Sequence, residues 1–137
     1  MSETQATEST SVLAEISRAM VRLHKEQFGR GPTHARTDFA GRDTVVCTLE
    51  DALLPAERSM VEMGEDQRVR ESRTFLQAAT AALFVSTVEE ILGREVRAFA
   101  SAIDPQADVV YEIFTLQPGP IPQTDGHGPI GGRSAPS

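Results

Sequence analysis

The sequence predicts an α+β fold, a two-layer sandwich in which three helices cover one face of a four-stranded, mostly antiparallel sheet. Two observations lead to this prediction. Two pairs of strand-like runs are each joined by a short turn, and helical periodicity fills the stretches before and between the two pairs. The element order is therefore αββααββ, and a chain of 137 residues is long enough to bury one sizeable core.

The first helix is predicted from residue 11 by a single apolar stripe. Its members recur every three or four positions, at Val12, Ile16, Met20 and Leu23. Gly29 suits the left-handed residue that ends a helix, and Pro32 blocks continuation. The turn 29–32 is therefore interpreted first as a helix stop that starts a strand.

Two β-hairpins are predicted, one on each side of a pair of helices. The first joins the runs 33–39 and 44–49, and the second joins the runs 94–103 and 109–116. Polar and apolar residues alternate in 33–39, which indicates one buried and one solvated face. The run 44–49 is apolar on both faces at its centre, so we expect it to be a central strand.

The segment between the hairpins predicts two helices. One begins at Pro55 and ends near Gly64, because proline at the first helical position followed by Glu57 is a helix-start signature. A longer helix covers about residues 66–92 and ends at Gly93. Two neighbouring apolar stripes predict that it packs on both the sheet and a neighbour. One stripe holds Val69, Leu76, Ala79, Thr80 and Leu83, and the other holds Ala81, Phe84, Val85, Val88 and Ile91.

The sheet face that the helices leave uncovered is expected to be open or to meet a second copy of the chain, which would make a homodimer. Phe39, Phe99 and Tyr111 lie in strands and fit two interpretations. They cover this face in a dimer, or they point into the core. Both interpretations stay open on the sequence pattern.

The two ends of the chain differ in composition from its middle. Residues 1–10 are rich in Ser, Thr and Glu and lack the features of a signal peptide, so we expect a disordered lead. Residues 118–137 are rich in Pro and Gly, which predicts a disordered tail and leaves 11–117 as the single domain. No apolar run approaches the roughly 20 residues of a spanning helix. We therefore expect a cytoplasmic protein that does not itself span a membrane.

Composition and motifs argue against several classes of function. A net charge of −7 argues against nucleic-acid binding. Cys47 is the only cysteine and lies in an apolar run, which favours a buried structural thiol without a disulfide. His24 and His34 lack the spacing of metal ligands, and His127 is far off in the tail. With no nucleophile elbow either, we predict no catalytic residue, no metal and no cofactor, and hence no enzyme.

Basic side chains concentrate at two places, around the turn 29–32 and at the start of the long helix. Cations at a helix N-terminus oppose the helix dipole, so Arg68, Arg70 and Arg73 either pair with neighbouring carboxylates or bind an anion. The planar fork of arginine suits a carboxylate, phosphate or bicarbonate. The sequence therefore offers one candidate anion site, made of Lys25, Arg30, Arg36, Arg70 and Arg73.

An ordered set of short motifs resembles the MpsC-like family, small bacterial proteins named after a component of a sodium-translocating, membrane-potential-generating system. The match covers about residues 11–117. Its motifs are Gly29-Arg30-Gly31-Pro32 with Arg36, Thr44-Val45-Val46-Cys47-Thr48-Leu49, Leu54-Pro55-Ala56-Glu57-Arg58, Gly64, Gly93-Arg94-Glu95-Val96 and Glu112-Ile113-Phe114-Thr115-Leu116. At Leu54 the family usually has Thr, which would complete a capping box with Glu57. We expect the loss of that cap to cost about 1 kcal/mol.

The resemblance implies a non-enzymatic accessory or regulatory partner of a membrane sodium or inorganic-carbon transport system, and it brings no established catalytic residues. The alternative is a small ligand-binding sensor domain that recognises an anionic metabolite near Arg30 and Arg36. An enzyme is the weakest of the three hypotheses, because no general base or nucleophile stands out.

Overall fold

The structure, a computed structural model, describes residues 2–119, and for residues 2–10 it describes the backbone only. The predicted α+β fold and its element order are confirmed. The elements are α1 Ser2–Phe28, β1 His34–Phe39, β2 Thr44–Glu50, α2 Pro55–Glu62, α3 Asp66–Leu92, β3 Val96–Asp104 and β4 Val109–Leu116. The predicted tail lies outside the described residues from residue 120 onward.

Helix α1 begins at Ser2, well before the predicted start at residue 11. The stretch that was expected to be a disordered lead therefore has helical backbone from Ser2 onward. Residues 2–10 contain neither glycine nor proline, so no helix-breaking residue prevents α1 from extending from residue 11 back to Ser2. The apolar stripe marks only the part of α1 that packs on the rest of the domain.

The four strands form one antiparallel sheet in the order β1-β2-β4-β3. The predicted central position of β2 is confirmed, since it pairs with β1 on one side and β4 on the other. Alternate residues of β4 are buried under the helices, namely Val110, Glu112, Phe114 and Leu116. One member of this buried row is a glutamate, and it is central to the site described below.

The helices cover one face of the sheet. Helix α1 packs on β1 and β2, α3 packs on β3, and the two helices contact each other. The core between the layers is formed by Ile16, Met20 and Leu23 of α1, Phe84 and Val88 of α3, and the inward residues of β2 and β4. The other face of the sheet is uncovered within the described part of the chain.

The turn 29–32 is a helix stop, as predicted. Gly29 has a φ of +84° and its N–H donates to the carbonyl of Lys25 at 2.8 Å, which closes α1. A Cβ at Gly31 would lie only 3.0 Å from the carbonyl oxygen of Val21. Glycine at both positions is therefore required by the backbone, without any reference to a ligand.

Of the three aromatic residues in the strands, two lie on the helix-facing side of the sheet and one lies on the uncovered side. Phe99 packs in the core, with its ring centroid 4.9 Å from that of Phe114. Phe39 pairs with the buried Val45 in the same helix-facing row, although it stays 41% exposed at the edge. Only Tyr111 lies on the uncovered face of the sheet, where it is 37% exposed.

Helix α3 contacts the sheet and also α1 and α2, as its two predicted stripes implied. Phe84 and Val88 of one stripe are buried. Val69 of the other stripe is buried as well, but its Leu76 and Leu83 remain 36% and 50% exposed, so this stripe packs only at its start. Two polar side chains take the buried positions instead, and they belong to the site.

Half of the capping box at α2 is present. The Leu54 N–H donates to the Glu57 carboxylate at 2.8 Å, which is the contact that the third helical residue normally supplies. The reciprocal bond is missing because leucine has no acceptor. The cap is thus weakened at Leu54, as predicted, while Glu57 keeps its part.

Candidate functional site

A cavity of about 400 Å³ opens between α3 and β3, with α1 and β4 at its base. Its polar lining consists of His24, Arg70, Arg73, Thr74, Gln77 and Ser101. Its apolar lining consists of Ala78, Ala81, Phe99, Ala102, Ile103 and Val110. Ligand pockets of this kind are mostly apolar with a few convergent polar groups, and their volumes start at about 300 Å³.

A buried hydrogen-bonded group forms the base of the cavity. His24 Nε2 lies 2.8 Å from Glu112 Oε2, and Gln77 Nε2 makes long contacts of 3.4 Å with both carboxylate oxygens. The exposed fractions are 1% for His24, 0% for Glu112 and 7% for Gln77. Buried polar groups are tolerated when they are paired in this way, so the group is a fixed part of the core.

The positions of these residues follow from local structure. His24 follows Leu23 on the buried side of α1, and Glu112 occupies an inward position of β4 between Val110 and Phe114. Gln77 lies on the sheet-facing side of α3. Residues far apart in sequence are therefore brought together by the packing of α1 and α3 over β4.

The second nitrogen of His24 has no partner in the part of the chain that the structure describes. Its Nδ1 atom is buried and makes no hydrogen bond to any described residue. The ring lies between Phe28 and Phe84, at centroid distances of 5.6 Å from each. A buried polar atom without a partner costs stability, and here it belongs to a residue that lines a cavity.

Arg73 is a buried cation held by α2. Its Nε and Nη2 atoms donate hydrogen bonds to the Glu57 carboxylate at 2.8 and 2.6 Å. Nη2 also donates to the Ala52 carbonyl at 3.2 Å. The guanidinium carbon lies 3.9 Å from the centroid of the Phe28 ring. Burial by itself would raise the pKa of Glu57. The hydrogen bonds from Arg73 and Leu54 and the Arg73 charge outweigh burial, so this pKa is lowered.

Arg70 lines the same cavity but is exposed. It forms no ion pair with any side chain of residues 11–119. Arg68, one turn away from Arg73 and outside the lining, pairs with Glu65 at 3.0 Å. Of the three arginines that open α3, Arg70 is thus the one that pairs neither with a carboxylate on α2 nor with Glu65, the residue that precedes α3.

The other predicted site residues lie outside this cavity. Arg30 Nη1 donates to the carbonyls of Asp51 and Leu53 at 2.6 and 3.2 Å, and its Nη2 pairs with the Asp51 carboxylate at 3.2 Å. It clamps the turn 29–32 to the segment after β2. Lys25 is exposed in the last turn of α1, and Arg36 is exposed on β1, paired with Asp38 at 3.0 Å.

The Arg30 clamp is part of a charged cluster at the end of the sheet. The Thr33 hydroxyl, with help from Arg30 and Arg58, lowers the pKa of the Asp51 carboxyl against the effect of its desolvation. Arg58 contacts Asp51 as well and lies 2.9 Å from the Asp108 carboxylate. Each cation of the cluster is therefore matched by a carboxylate, and the cluster acts as a structural tie.

The chemistry available elsewhere is limited. Burial raises the pKa of the Cys47 thiol to about 12, so the predicted structural thiol is confirmed as buried and is poorly nucleophilic at neutral pH. No group of three or more His, Cys, Asp or Glu side chains within residues 11–119 is placed to hold a metal ion. His34 lies exposed on β1, and His127 lies outside the described residues.

The outward side of α3 is the second notable surface. We call it the outer face, made of Phe75, Leu76, Ala79, Ala82, Leu83 and Ser86, which are all exposed. Phe75 is 76% exposed, and residues 74–88 contain no charged side chain. Helix α3 is also long and apolar enough to cross a membrane by length and composition alone, with 17% of its most apolar window buried in the domain.

The sequence interpretation missed Glu112 and Gln77 and considered His24 only as a metal ligand. A signal for Glu112 was present, because it shares the inward parity of Val110, Phe114 and Leu116 in an otherwise apolar run. A charged residue at such a position must be paired inside the fold. No local sequence pattern identified His24 as the residue that pairs with Glu112.

Comparison with known proteins gives one match. Residues 8–118 match the family model described as "Na+-translocating membrane potential-generating system (MpsC)". This confirms the resemblance that the motifs carried, and the match extends from within α1 to the end of β4. No curated protein and no solved structure matches the chain.

Proposed function

The chain belongs to the MpsC family, and on that premise we propose that it is a non-enzymatic accessory or regulatory partner of a membrane sodium or inorganic-carbon transport system. The family description names a sodium-translocating system. The observation that supports a partner role is the outer face of α3. An exposed apolar patch that a monomer leaves uncovered is typical of a surface that binds another protein.

The outer face suits a partner with an apolar surface of its own. Its side chains are apolar or small from Phe75 to Ser86, and the nearest charges lie before residue 74 and after residue 88. A transport subunit offers apolar helices of matching character. Small residues such as Ala79 and Ala82 would allow a partner helix to approach closely.

Docking explains α3 better than membrane spanning does. A spanning helix surrounded by lipid would expose Arg73 and Gln77, whereas both are buried here and hydrogen-bonded to Glu57 and Glu112. The cost of placing an unpaired arginine in a bilayer is several kcal/mol. The protein is therefore proposed to lie in the cytoplasm and to dock on the membrane system from that side.

The docking test is capture of membrane proteins from detergent-solubilised lysate of the source cells by the full chain. Phe75→Asp/Leu83→Asp, which places two charges in the outer face, should reduce recovery of a transport subunit at least tenfold. Met63→Asp is the matched control, since Met63 is 70% exposed at the end of α2 and lies off this face. Equal recovery by both variants, or recovery of no membrane subunit by the wild type, contradicts the proposal.

We propose in addition that the chain is a homodimer through the uncovered face of the sheet. The centre of this face is formed by Val46, Thr48, Tyr111 and Ile113, which are half-buried or exposed in the single chain. Charged residues such as Arg36 and Asp38 lie toward its edge. An apolar centre with a polar rim is the usual composition of a protein interface.

The dimer is tested by light scattering at tens of micromolar. The wild type should show twice the mass of the 14.8 kDa chain, and Tyr111→Arg should shift it to a monomer. The Phe75→Asp/Leu83→Asp variant should stay dimeric, because its substitutions lie on the helix layer. A monomer mass for the wild type refutes the dimer. If the Phe75→Asp/Leu83→Asp variant is a monomer, the dimer forms through the outer face of α3 and not through the sheet.

The second candidate function is a ligand-binding sensor domain. The cavity beside α3 favours it, because Arg70, Arg73 and His24 line a pocket of suitable size, and His24 has a buried nitrogen without a partner among the described residues. Arg30 and Arg36, around which the sequence placed this site, are outside that lining and engage carboxylates of their own. The sensor proposal therefore moves to the arginines of α3.

A further inference from the structure

We propose that the cavity between α3 and β3 binds a small molecule that carries one carboxylate and an apolar body. This inference rests on the sensor candidate and names its ligand class. Three independent properties of the cavity support it, namely the charge of its lining, its polar atoms without hydrogen-bond partners and its apolar walls.

The charge of the cavity calls for a single negative charge. The lining contains two arginines and neither aspartate nor glutamate. Arg73 is neutralised by Glu57, and the Glu112 carboxylate lies outside the lining, where it contacts His24 and Gln77. Arg70 is left as the one uncompensated charge of the lining, which complements a monoanion.

A multiply charged ligand fits less well. The whole chain has a net charge of −7, which repels polyanions at long range. One free guanidinium can form a bidentate pair with one carboxylate. Any second or third negative charge on the ligand would have no unpaired cation in the lining to interact with.

Unused polar atoms point to the same group. His24 Nδ1 is buried and has no partner among the described side chains and backbone groups. Arg73 uses Nε and Nη2 for Glu57 and Ala52, and its Nη1 makes no hydrogen bond to a described residue. A carboxylate can accept hydrogen bonds from Nη1 of Arg73 and from a protonated Nδ1 of His24.

The walls of the cavity select an apolar body. Ala78 and Ala81 of α3 face Phe99, Ile103 and Val110 of the sheet across the pocket. The alanines leave the room and the larger side chains supply the contact area. A volume of about 400 Å³ admits an aryl or short alkyl chain attached to the carboxylate.

The test is calorimetric titration of the full chain with three probes. 3-Phenylpropanoate has the proposed character, 3-phenylpropanol replaces its carboxylate by a neutral hydroxyl, and inorganic phosphate removes the apolar body. We expect 3-phenylpropanoate to bind at least tenfold more tightly than either of the others, and to raise the thermal midpoint.

Two pairs of variants locate the site. Arg70→Gln should weaken 3-phenylpropanoate about tenfold or more, since hydrogen bonds to charged groups contribute about 1.5–3 kcal/mol. Arg68→Gln, an exposed arginine on the same helix outside the lining, should leave binding unchanged. Ala81→Leu should fill the cavity and abolish binding, whereas Ala82→Leu on the exposed side should not.

The outcomes separate the ligand class from the sensor function. Equal binding of 3-phenylpropanol overturns the role of the carboxylate, and equal loss from Arg70→Gln and Arg68→Gln overturns the location. If phosphate binds through Arg70 and 3-phenylpropanoate does not, the sensor stands and the ligand class is wrong. If none of the probes binds at millimolar concentration, both are refuted, while docking on a membrane subunit is judged separately by the capture experiment.

Discussion

Helix α3 divides at residue 84 into two unequal parts that are built differently, a longer part called the first half (residues 66–83) and a shorter part called the second half (residues 84–92). In the first half, the side that faces the domain buries Arg73 and Gln77 beside a single apolar residue, Val69, while the outward side exposes Phe75 and Leu83. Apart from Val69, this reverses the usual arrangement of a helix in a globular protein, which buries apolar residues and exposes polar ones.

The second half, residues 84–92, follows the usual arrangement. Phe84 and Val88 are buried against the core, and Ser86 and Glu90 are exposed. Glu89 accepts a hydrogen bond from the backbone of Val96 at 2.9 Å, which ties the end of α3 to the start of β3. This half needs no explanation beyond folding.

The contrast separates function from stability along one helix. Buried ions often contribute no more than apolar residues of the same volume, and exposed apolar faces promote association. Neither feature of the first half is therefore explained by stability. The α3 residues that line the cavity and every residue of the outer face except Ser86 lie in that half. We therefore infer that the first half carries the function and that the second half holds the helix in the domain.

The largest expected effect is on the buried ion pair of the first half. Arg73→Met should lower the free energy of unfolding by about 2–4 kcal/mol, because it leaves the half-buried Glu57 carboxylate without its cation. Arg73→Met/Glu57→Leu should recover most of this loss, since no unpaired charge remains. Urea unfolding of the two variants and the wild type measures both values.

The control for this cycle lies in the second half. Val88→Ala should destabilise through a cavity alone, and combination with Glu57→Leu should simply add the two separate losses. If the Arg73→Met/Glu57→Leu double variant is as unstable as the sum of its single variants, then the pair is not coupled and the contrast between the halves fails.

Much of the fold could be predicted because its boundaries are local. Gly29, Gly64 and Gly93 each have a positive φ where a helix ends, and such positions are visible as residue types. The strand order could not be predicted in the same way. The placement of β4 between β2 and β3 depends on contacts between distant segments, which no local pattern encodes.

The site was harder to predict than the fold for the same reason. Arg70 and Arg73 were identified because basic residues at a helix start are locally anomalous. The pairing of His24 with Glu112 joins residues 88 positions apart, and the periodicity of apolar residues does not predict such a contact. Leu76 and Leu83 were assigned to a packing stripe because hydrophobicity alone does not reveal that buried arginine and glutamine displace them outward.

A smaller effect, in the dependence of stability on pH, distinguishes the halves further. The pKa of Glu57 is lowered from its ordinary value of 4.5, so its ionised form stabilises the fold above that value. At pH 7, Glu57→Gln should cost about 1.5–3 kcal/mol, the contribution of hydrogen bonds to a charged group. As the pH falls below 4.5 toward the folded-state pKa, wild-type Glu57 binds its proton and the difference from the variant should shrink.

The same titration with Val88→Ala shows whether this dependence belongs to the first half. Val88 carries no ionisable group, so its deficit in urea unfolding should stay constant from pH 7 to pH 3. Asp51, whose pKa is also lowered, is present in all three proteins and cancels in each difference. A Glu57→Gln deficit that stays constant across this range would show that Arg73 does not hold the carboxylate ionised. The first half of α3 would then be secured by packing, as the second half is.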